Sequence, residues 1–476
     1  MSSPLCAIAG NSTSLSLFQW ASMEYDSRYL RRVLPQSVPG GLNAARPTPP
    51  SVEIYSRKLQ TLLDRYEGHP LDVSFRQLVG VLPADEGSHG LFPYPARLVR
   101  HIPRMLLSCA QIVDGIDRVI DPFCGSGTVL LEAQTRGIES EGLEQNPVAA
   151  LVSRVKITSL NTEELNRVAA DVKSAAKRSR ARREVPSFIH RWYPTDVLFA
   201  LSRLRRAIDE VEPGPIRDAL LVVMTLTARR VSRADRRLPV PVRDRGRADA
   251  RATAVWEWWD LESAAMVGRL AGLRTQETIA RVHNVDSRDP RSWPSRPGPR
   301  SSLIFTSPPY GAAQKYIRST SLDAAWLGVT GDRGTIELER QSIGREHLSR
   351  QEEKVPDLHH VDQEVGTLLD RIQAVDPMRA AVYGHYFSDM QSVISNASSS
   401  ATGTLRVVLV AGTNTVCGIE VPTHEILTRM FARAGFERSL GMRDEIRGRA
   451  LITARRSGAR PAPAEYVDVL EWADAR

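Results

Sequence analysis

The chemistry of this chain is concentrated in two short segments. In the first, Asp121-Pro-Phe-Cys-Gly-Ser-Gly-Thr128, an acid stands ahead of Gly125 and Gly127, which permit a tight turn and close approach of a ligand to the backbone. A dinucleotide fingerprint requires a third glycine where Leu130 stands, and a phosphate loop requires Gly-Lys-Ser/Thr, which is absent. Glu144 follows 23 residues after Asp121, where an acid accepts hydrogen bonds from ribose hydroxyls. A ribose held without a grip on phosphate points to S-adenosylmethionine. In the second segment, Thr306-Ser-Pro-Pro-Tyr310, the Ser307 hydroxyl and the Pro308 carbonyl are adjacent acceptors. They suit an amino group whose lone pair is delocalised into a ring and must be turned toward an electrophile. Pro308 and Pro309 stiffen the turn and remove competing N–H donors. Tyr310 offers a ring on which an extruded base stacks.

Both segments need strands to position them. Asp117–Asp121 is short, β-branched and stopped by Pro122, as a buried strand is. Thr128–Arg136 reads as a helix closed by Gly137, and Glu139–Leu143 as a second strand leading to Glu144 and Asn146-Pro147. Ser302–Thr306 is a third buried strand, running directly into Ser307. Further on, Leu405–Val410 reads as a strand, and Thr423–Ala434 as a helix with Thr423 as N-cap. Phe436–Leu440 and Ala450–Ala454 read as a final strand pair. The expected fold is α/β, a doubly wound Rossmann-like sheet interrupted by a mostly helical insertion. The expected divisions are a mobile tail at 1–50, a cofactor-binding first part at 51–160 and the insertion at 161–280. A second part carrying the catalytic loop follows at 281–460, then a C-terminal tail at 461–476. Residues 331–375, polar and charged, read as a long flexible excursion.

Composition sets the bounds. The 476 residues are 42% hydrophobic and 25% charged, an ordinary globular balance that excludes collagen-like and wholly disordered classes. No apolar run is long enough to span a bilayer, and no basic segment followed by an apolar one opens the chain. A cytoplasmic protein with no membrane partner is expected. The four cysteines, Cys6, Cys109, Cys124 and Cys417, form no CxxC pair; buried reduced thiols and no metal are expected. Net charge is +8. Between Lys173 and Arg251 stand 20 Lys/Arg against 9 Asp/Glu, a local excess of 11, so the remainder of the chain is slightly acidic. The arginines at 229, 230, 233, 236 and 237 are therefore the expected contacts to phosphates and base edges. Trp256, Trp258 and Trp259 read as core.

The two segments together resemble those of the amino-group DNA methyltransferases, which methylate cytosine N4 or adenine N6. The resemblance covers residues 91–147 and 282–456. It implies S-adenosylmethionine as cofactor, with Asp121, Phe123, Gly125 and Gly127 holding its methionine end and Glu144 its ribose. Phe92 and Tyr94, in Leu91-Phe-Pro-Tyr-Pro-Ala-Arg97, resemble the family's cofactor cap. Asp286, in Val285-Asp-Ser287, resembles the third-strand acid that binds the adenine amino group. Ser307, Pro308, Pro309 and Tyr310 resemble the catalytic tetrapeptide, whose serine form is most associated with cytosine N4. Thr413-Asn414-Thr415 and Pro422-Thr-His-Glu425 are also similar to family segments, with His424 in a structural role. The resemblance further implies double-stranded DNA as substrate and a restriction–modification or defence partner. An adenine-N6 enzyme, an RNA base N-methyltransferase and a non-catalytic DNA-binding subunit are the alternative readings. The glycine segment also resembles that of guanine-N2 RNA enzymes, although those carry Asn before Pro-Pro-Tyr.

Overall fold

The strands expected beside the two motifs lie next to each other in the middle of one sheet. The computed structural model describes residues 52–82, 86–95, 97–271, 273, 278–294, 300–311, 316–346, 348–400, 403–445 and 464–472. Its strands are β1 (Leu71–Val73), β2 (Arg118–Asp121), β3 (Glu139–Leu143), β4 (Ala280–His283) and β5 (Ser302–Thr306). After these come β6 (Leu405–Gly412), β7 (Asn414–Val416), β8 (Ile419–Val421), β9 (Phe436–Glu445) and β10 (Ala464–Trp472). Eight of them form a sheet in the order β1-β9-β10-β6-β5-β2-β3-β4, while β7 and β8 pair as a hairpin. From β4 to β6 every pairing is parallel. β10 lies antiparallel between β6 and β9. This is the expected Rossmann-like methyltransferase sheet.

Strand pleating explains the near-continuous apolar runs. Val119, Leu303, Phe305, Val408 and Val410 point into a core shared with the helices Val52–Asp64 and His101–Leu106. Their neighbours Ile120, Ile304, Val407 and Leu409 point into the opposite core, beneath the helices Gln363–Gln373, Pro377–Ser399 and Thr423–Arg433. With helices on both faces, neither set of alternating side chains meets water.

The helical insertion is present as Thr162–Arg178, Thr195–Asp209, Pro215–Val231 and Ala252–Leu270. Its first helix is capped by Asn161, whose side chain accepts from the N–H groups of Glu163 and Glu164, and it buries Leu165, Ala169, Val172 and Ala176. That spacing presents one helical face to the interior. The insertion does not keep a separate core, because Leu91, Phe92 and Trp326, from elements on either side of it, pack into the same cluster. Trp259 is buried there and donates to the Ala169 carbonyl at 3.1 Å.

Several expectations are corrected. The 331–375 segment is not a flexible excursion. Ile343, Leu358, Val365, Leu368, Leu369 and Ile372 are buried in the sheet's second core, and some of its charges are paired, Asp362 with Arg429 and Arg433, and Arg345 with Glu352 and Asp389. Within 461–476, residues 464–472 are a sheet strand rather than a tail, with Val467 and Leu470 fully buried. The helix Pro377–Ser399 stands where no element was expected; Asp376 caps it and Pro377 opens it. Thr423 is the first residue of its helix, not the N-cap, and its hydroxyl donates to the Val421 carbonyl. Cys109 and Cys124 are buried, but Cys417 is exposed. With φ 52° at Cys417 and 78° at Gly418, the β7–β8 hairpin turns through two left-handed residues, as two-residue hairpins favour. The 1–50 tail, Cys6 and the expected strand at 450–454 lie outside the described residues.

Candidate active site

β2 is the pivot of the sheet. The chain leaves it for β3 and β4 on one side and returns as β5 on the other, which makes the β2–β5 boundary the switch point where open α/β sheets bind ligands. Ile120 is in register with Ile304, so the strand ends carrying Asp121 and Thr306 lie side by side. The glycine segment and the Ser307–Tyr310 segment therefore leave the sheet at the same edge.

The glycine turn is built as its residues require. Gly125 and Gly127 have φ 51° and 75°, in the left-handed region that residues with a Cβ avoid. Asp121 Oδ1 accepts from the Phe123 N–H at 3.1 Å. Glu144, one residue past β3, accepts from the Gly125 N–H at 2.8 Å and the Asn146 N–H at 2.7 Å. The Asn146 side chain donates to Tyr94 Oη and Thr320 Oγ1, each at 3.3 Å. Tyr94 reaches over the turn, with Cε1 at 3.8 Å from where a Gly125 Cβ would stand. Asp121, Gly125, Gly127, Glu144 and Tyr94 are thus brought together, and Phe123 lies half-buried against the second core. Burial pushes the Asp121 carboxyl up to about 8, with the nearby Glu144 adding to the rise and the Phe123 N–H opposing it. Burial likewise pushes Glu144 up to about 7 against the N–H groups of Asn146, Gly125 and Gln145.

Gly127 cannot be replaced without moving the helix behind it. A Cβ there would lie 2.3 Å from Ser153 Oγ and 3.3 Å from Ser153 Cα. Gly127→Ala is expected to displace the turn through left-handed strain and the Ser153 clash and so to weaken binding of the expected S-adenosylmethionine by about 10-fold or more, read by calorimetry; an unchanged Kd refutes the cradle. Gly142, in β3, was not singled out from the sequence. Its Cβ would lie 2.6 Å from Leu130 Cδ1 and 2.7 Å from Cys124 Sγ, and a glycine inside a strand is the signal of such close packing.

The second segment is supported from behind. Tyr383 donates its hydroxyl to the Gly311 carbonyl at 2.7 Å and accepts from Asn414 Nδ2 at 3.3 Å. A Cβ on Gly344 would lie 2.7 Å from the Tyr310 carbonyl oxygen, so the 331–375 segment packs directly on the motif. Pro308 is buried, while Ser307, Pro309 and Tyr310 are half-buried. The Ser307 hydroxyl has no hydrogen-bond partner among the described residues. Tyr383 was not foreseen because it lies on the helix Pro377–Ser399, where the sequence pattern announced no element.

Other expected residues are engaged by protein groups. Phe92 is 2% exposed, sealed in the insertion core with the Arg229 guanidinium 4.7 Å over its ring; it supports the cap from beneath. Asp286 follows β4, but Arg288 grips it at 2.6 Å and also pairs with Asp389. The arginine cluster is largely committed to internal partners. Arg229 pairs with the buried Asp323, Arg230 with the buried Glu262, Arg233 with Asp249, and Arg237 with Asp235. Arg236 donates to the Arg230 carbonyl. His424 is buried and stacks on Tyr466 with ring centroids 3.5 Å apart, in keeping with a structural role. Among the described residues there is no group of three or more metal-ligating side chains and no helix long and apolar enough to cross a membrane.

The comparisons agree with this architecture. Residues 90–184, which hold the cap, the glycine turn and Glu144, match the RMKL-like methyltransferase domain (UPF0020). The chain is 25% identical over 194 residues to the Type II methyltransferase M.MvaI of Kocuria varians, covering 38% of this chain and 42% of that protein. It is 30% identical over 89 residues to the Type II methyltransferase M.MjaII of Methanocaldococcus jannaschii, covering 19% of this chain and 16% of that protein. The match thus spans less than half of each of these relatives. Among solved structures, the rRNA methyltransferase aviRa of Streptomyces viridochromogenes aligns over 85% of this chain and 98% of its own at 10% identity, with a TM-score of 0.30, too loose to bear on fold or substrate. Residues 90–184 thus match a methyltransferase domain, and part of the chain is similar to Type II methyltransferases.

Proposed function

We propose that this protein transfers a methyl group from S-adenosylmethionine to the exocyclic amino group of a DNA base extruded from the duplex, with cytosine N4 the favoured target. The observation that carries this reading is the placement of the Ser307–Tyr310 segment at the end of β5, beside the glycine turn at the end of β2. The residues of the turn fit the cofactor. Asp121 and Glu144 are acids at adjacent strand ends, and a cationic ligand with ribose hydroxyls would offset the burial that pushes both up. When bound, the cofactor supplies an electrophilic methyl group.

The chain's own residues do the rest. Ser307 Oγ and the Pro308 carbonyl accept from the two N–H groups of the base amine and turn its lone pair out of conjugation. Tyr310 stacks on the ring and excludes water. No metal and no perturbed general base is required, since the amine is oriented rather than deprotonated beforehand. Nucleoside mass spectrometry of unmethylated DNA and of RNA, each incubated with protein and cofactor, tests the reading. N4-methylcytosine in DNA is expected. N6-methyladenine would transfer the same site to the other base, product only in RNA would move the substrate class, and no product would leave a non-catalytic DNA-binding subunit.

The insertion is the proposed DNA-facing part, with a different set of arginines from that expected. Arg178, Arg180, Arg243 and Arg245 are exposed, as are Arg236 and Arg237, whereas Arg229, Arg230 and Arg233 are held by acids. Replacing the first four with alanine is expected to flatten the dependence of log K on log salt by about 0.9 for each phosphate that is no longer neutralised. A slope equal to that of the parent protein would place the DNA elsewhere. A restriction or defence partner accompanies this reading and is tested by co-purification.

A further inference from the structure

A second side chain touches the glycine turn and is not used by the proposed reaction. Lys156, on the helix Pro147–Ile157, is 1% exposed. Its ammonium nitrogen lies 3.3 Å from Ser126 Oγ, the residue between Gly125 and Gly127. No carboxylate is among the groups that act on it. Those facing it are Arg97 from the cap segment, Cys124 from the glycine turn and His89 from the 87–90 turn. Arg97 is a cation, burial keeps the Cys124 thiol protonated, and burial keeps the His89 ring neutral. Buried lysines are ordinarily paired with an acid, and among the described residues no acid pairs with this one. Burial, with Arg97 adding to the effect, pushes the Lys156 amine down to about 7.

We infer that Lys156 is the receptor for the α-carboxylate of S-adenosylmethionine, completing an anion site beneath Ser126. This rests on the cofactor reading above, in which the glycine turn holds the methionine end of the ligand. A purely structural lysine would only anchor the Ser126 hydroxyl, a task that needs no positive charge. The carboxylate supplies the counter-ion that the protein leaves out. By stabilising the ammonium, it raises the amine's proton affinity, so a site that is largely neutral at pH 8 takes up a proton as the ligand binds.

The test is calorimetry on the full chain, wild type and Lys156→Met, with S-adenosylmethionine and with its decarboxylated analogue, which differs only in lacking the carboxylate. Lys156→Met is expected to weaken S-adenosylmethionine by about 10- to 100-fold, the range of a lost charged hydrogen bond, and to leave the analogue within about 2-fold. Binding enthalpies at pH 8 in buffers of different ionisation enthalpy are expected to show more proton uptake for the wild type than for the variant. Asp121, Glu144 and the ligand's own amine titrate in both proteins and cancel in that difference. Equal losses for the two ligands, no loss for either, or identical proton uptake would overturn the inference while leaving the cofactor reading intact. Failure of the wild type to bind either ligand would overturn both.

Discussion

Ser307→Ala is expected to reduce methyl transfer by on the order of 10²-fold or more in kcat while leaving S-adenosylmethionine affinity within about 2-fold. The reason is positional. Ser307 stands beyond β5, whereas the proposed cofactor contacts stand beyond β2 and β3, so removing its hydroxyl subtracts nothing from the proposed cradle. What is lost is one of two acceptors that orient the base amine. The Pro308 carbonyl remains, and Tyr383 still holds the loop through Gly311, so the variant keeps its backbone and some activity. Single-turnover rates with saturating DNA, together with cofactor calorimetry, separate the two effects. Equal loss in binding and rate would show that the serine supports the loop rather than the substrate.

Glu132→Gln is expected to cost about 3–5 kcal/mol of stability, the usual consequence of removing one charge from a buried ionic cluster. Glu132 lies on the helix after the glycine turn and is fully buried. It accepts from His89 Nε2 at 2.9 Å, Arg104 Nε at 2.8 Å and Arg136 Nη1 at 2.7 Å. Glutamine keeps the shape but leaves Arg136 without its carboxylate and Arg104 with only Glu86, at 3.6 Å. Because His89 precedes the cap segment and Arg104 lies on the helix His101–Leu106, the cluster ties the cap to the glycine turn. The same cluster predicts a pH dependence. Despite burial, the His89 hydrogen bond and the two arginines hold the Glu132 carboxyl well below its ordinary value. Its folded pKa is below its unfolded one, so its contribution is full above the unfolded value of about 4.5 and declines as pH falls below that. Urea midpoints measured from pH 7 to pH 3 are expected to fall less steeply for Glu132→Gln than for the parent. Parallel curves would show that the cluster is not what acid disrupts.

The legibility of this chain followed the range of the interactions concerned. The β2–glycine turn–β3 unit, Glu144 and the β5–Ser307 junction were readable from sequence, because left-handed turns, proline stops and short β-branched runs are local requirements on residue type. Their placement on adjacent strands of one sheet followed from the same pattern, since parallel strands joined by helices have few alternative orders. Charge and exposure could not be read this way. Arg229, Arg230 and Arg233 look like part of a polyanion surface until Asp323, Glu262 and Asp249 fold against them. Residues 331–375 look solvated because their acids and bases find partners on distant helices. Asp286 is gripped by Arg288, and Phe92 is roofed by Arg229. The sequence by itself determined which residues could hold a cofactor and face an amine, because that depends on side-chain chemistry and backbone permissiveness. Only the tertiary structure decided which charges remained available to a ligand, because a charge is spent or spared by whatever the fold brings within about 4 Å of it.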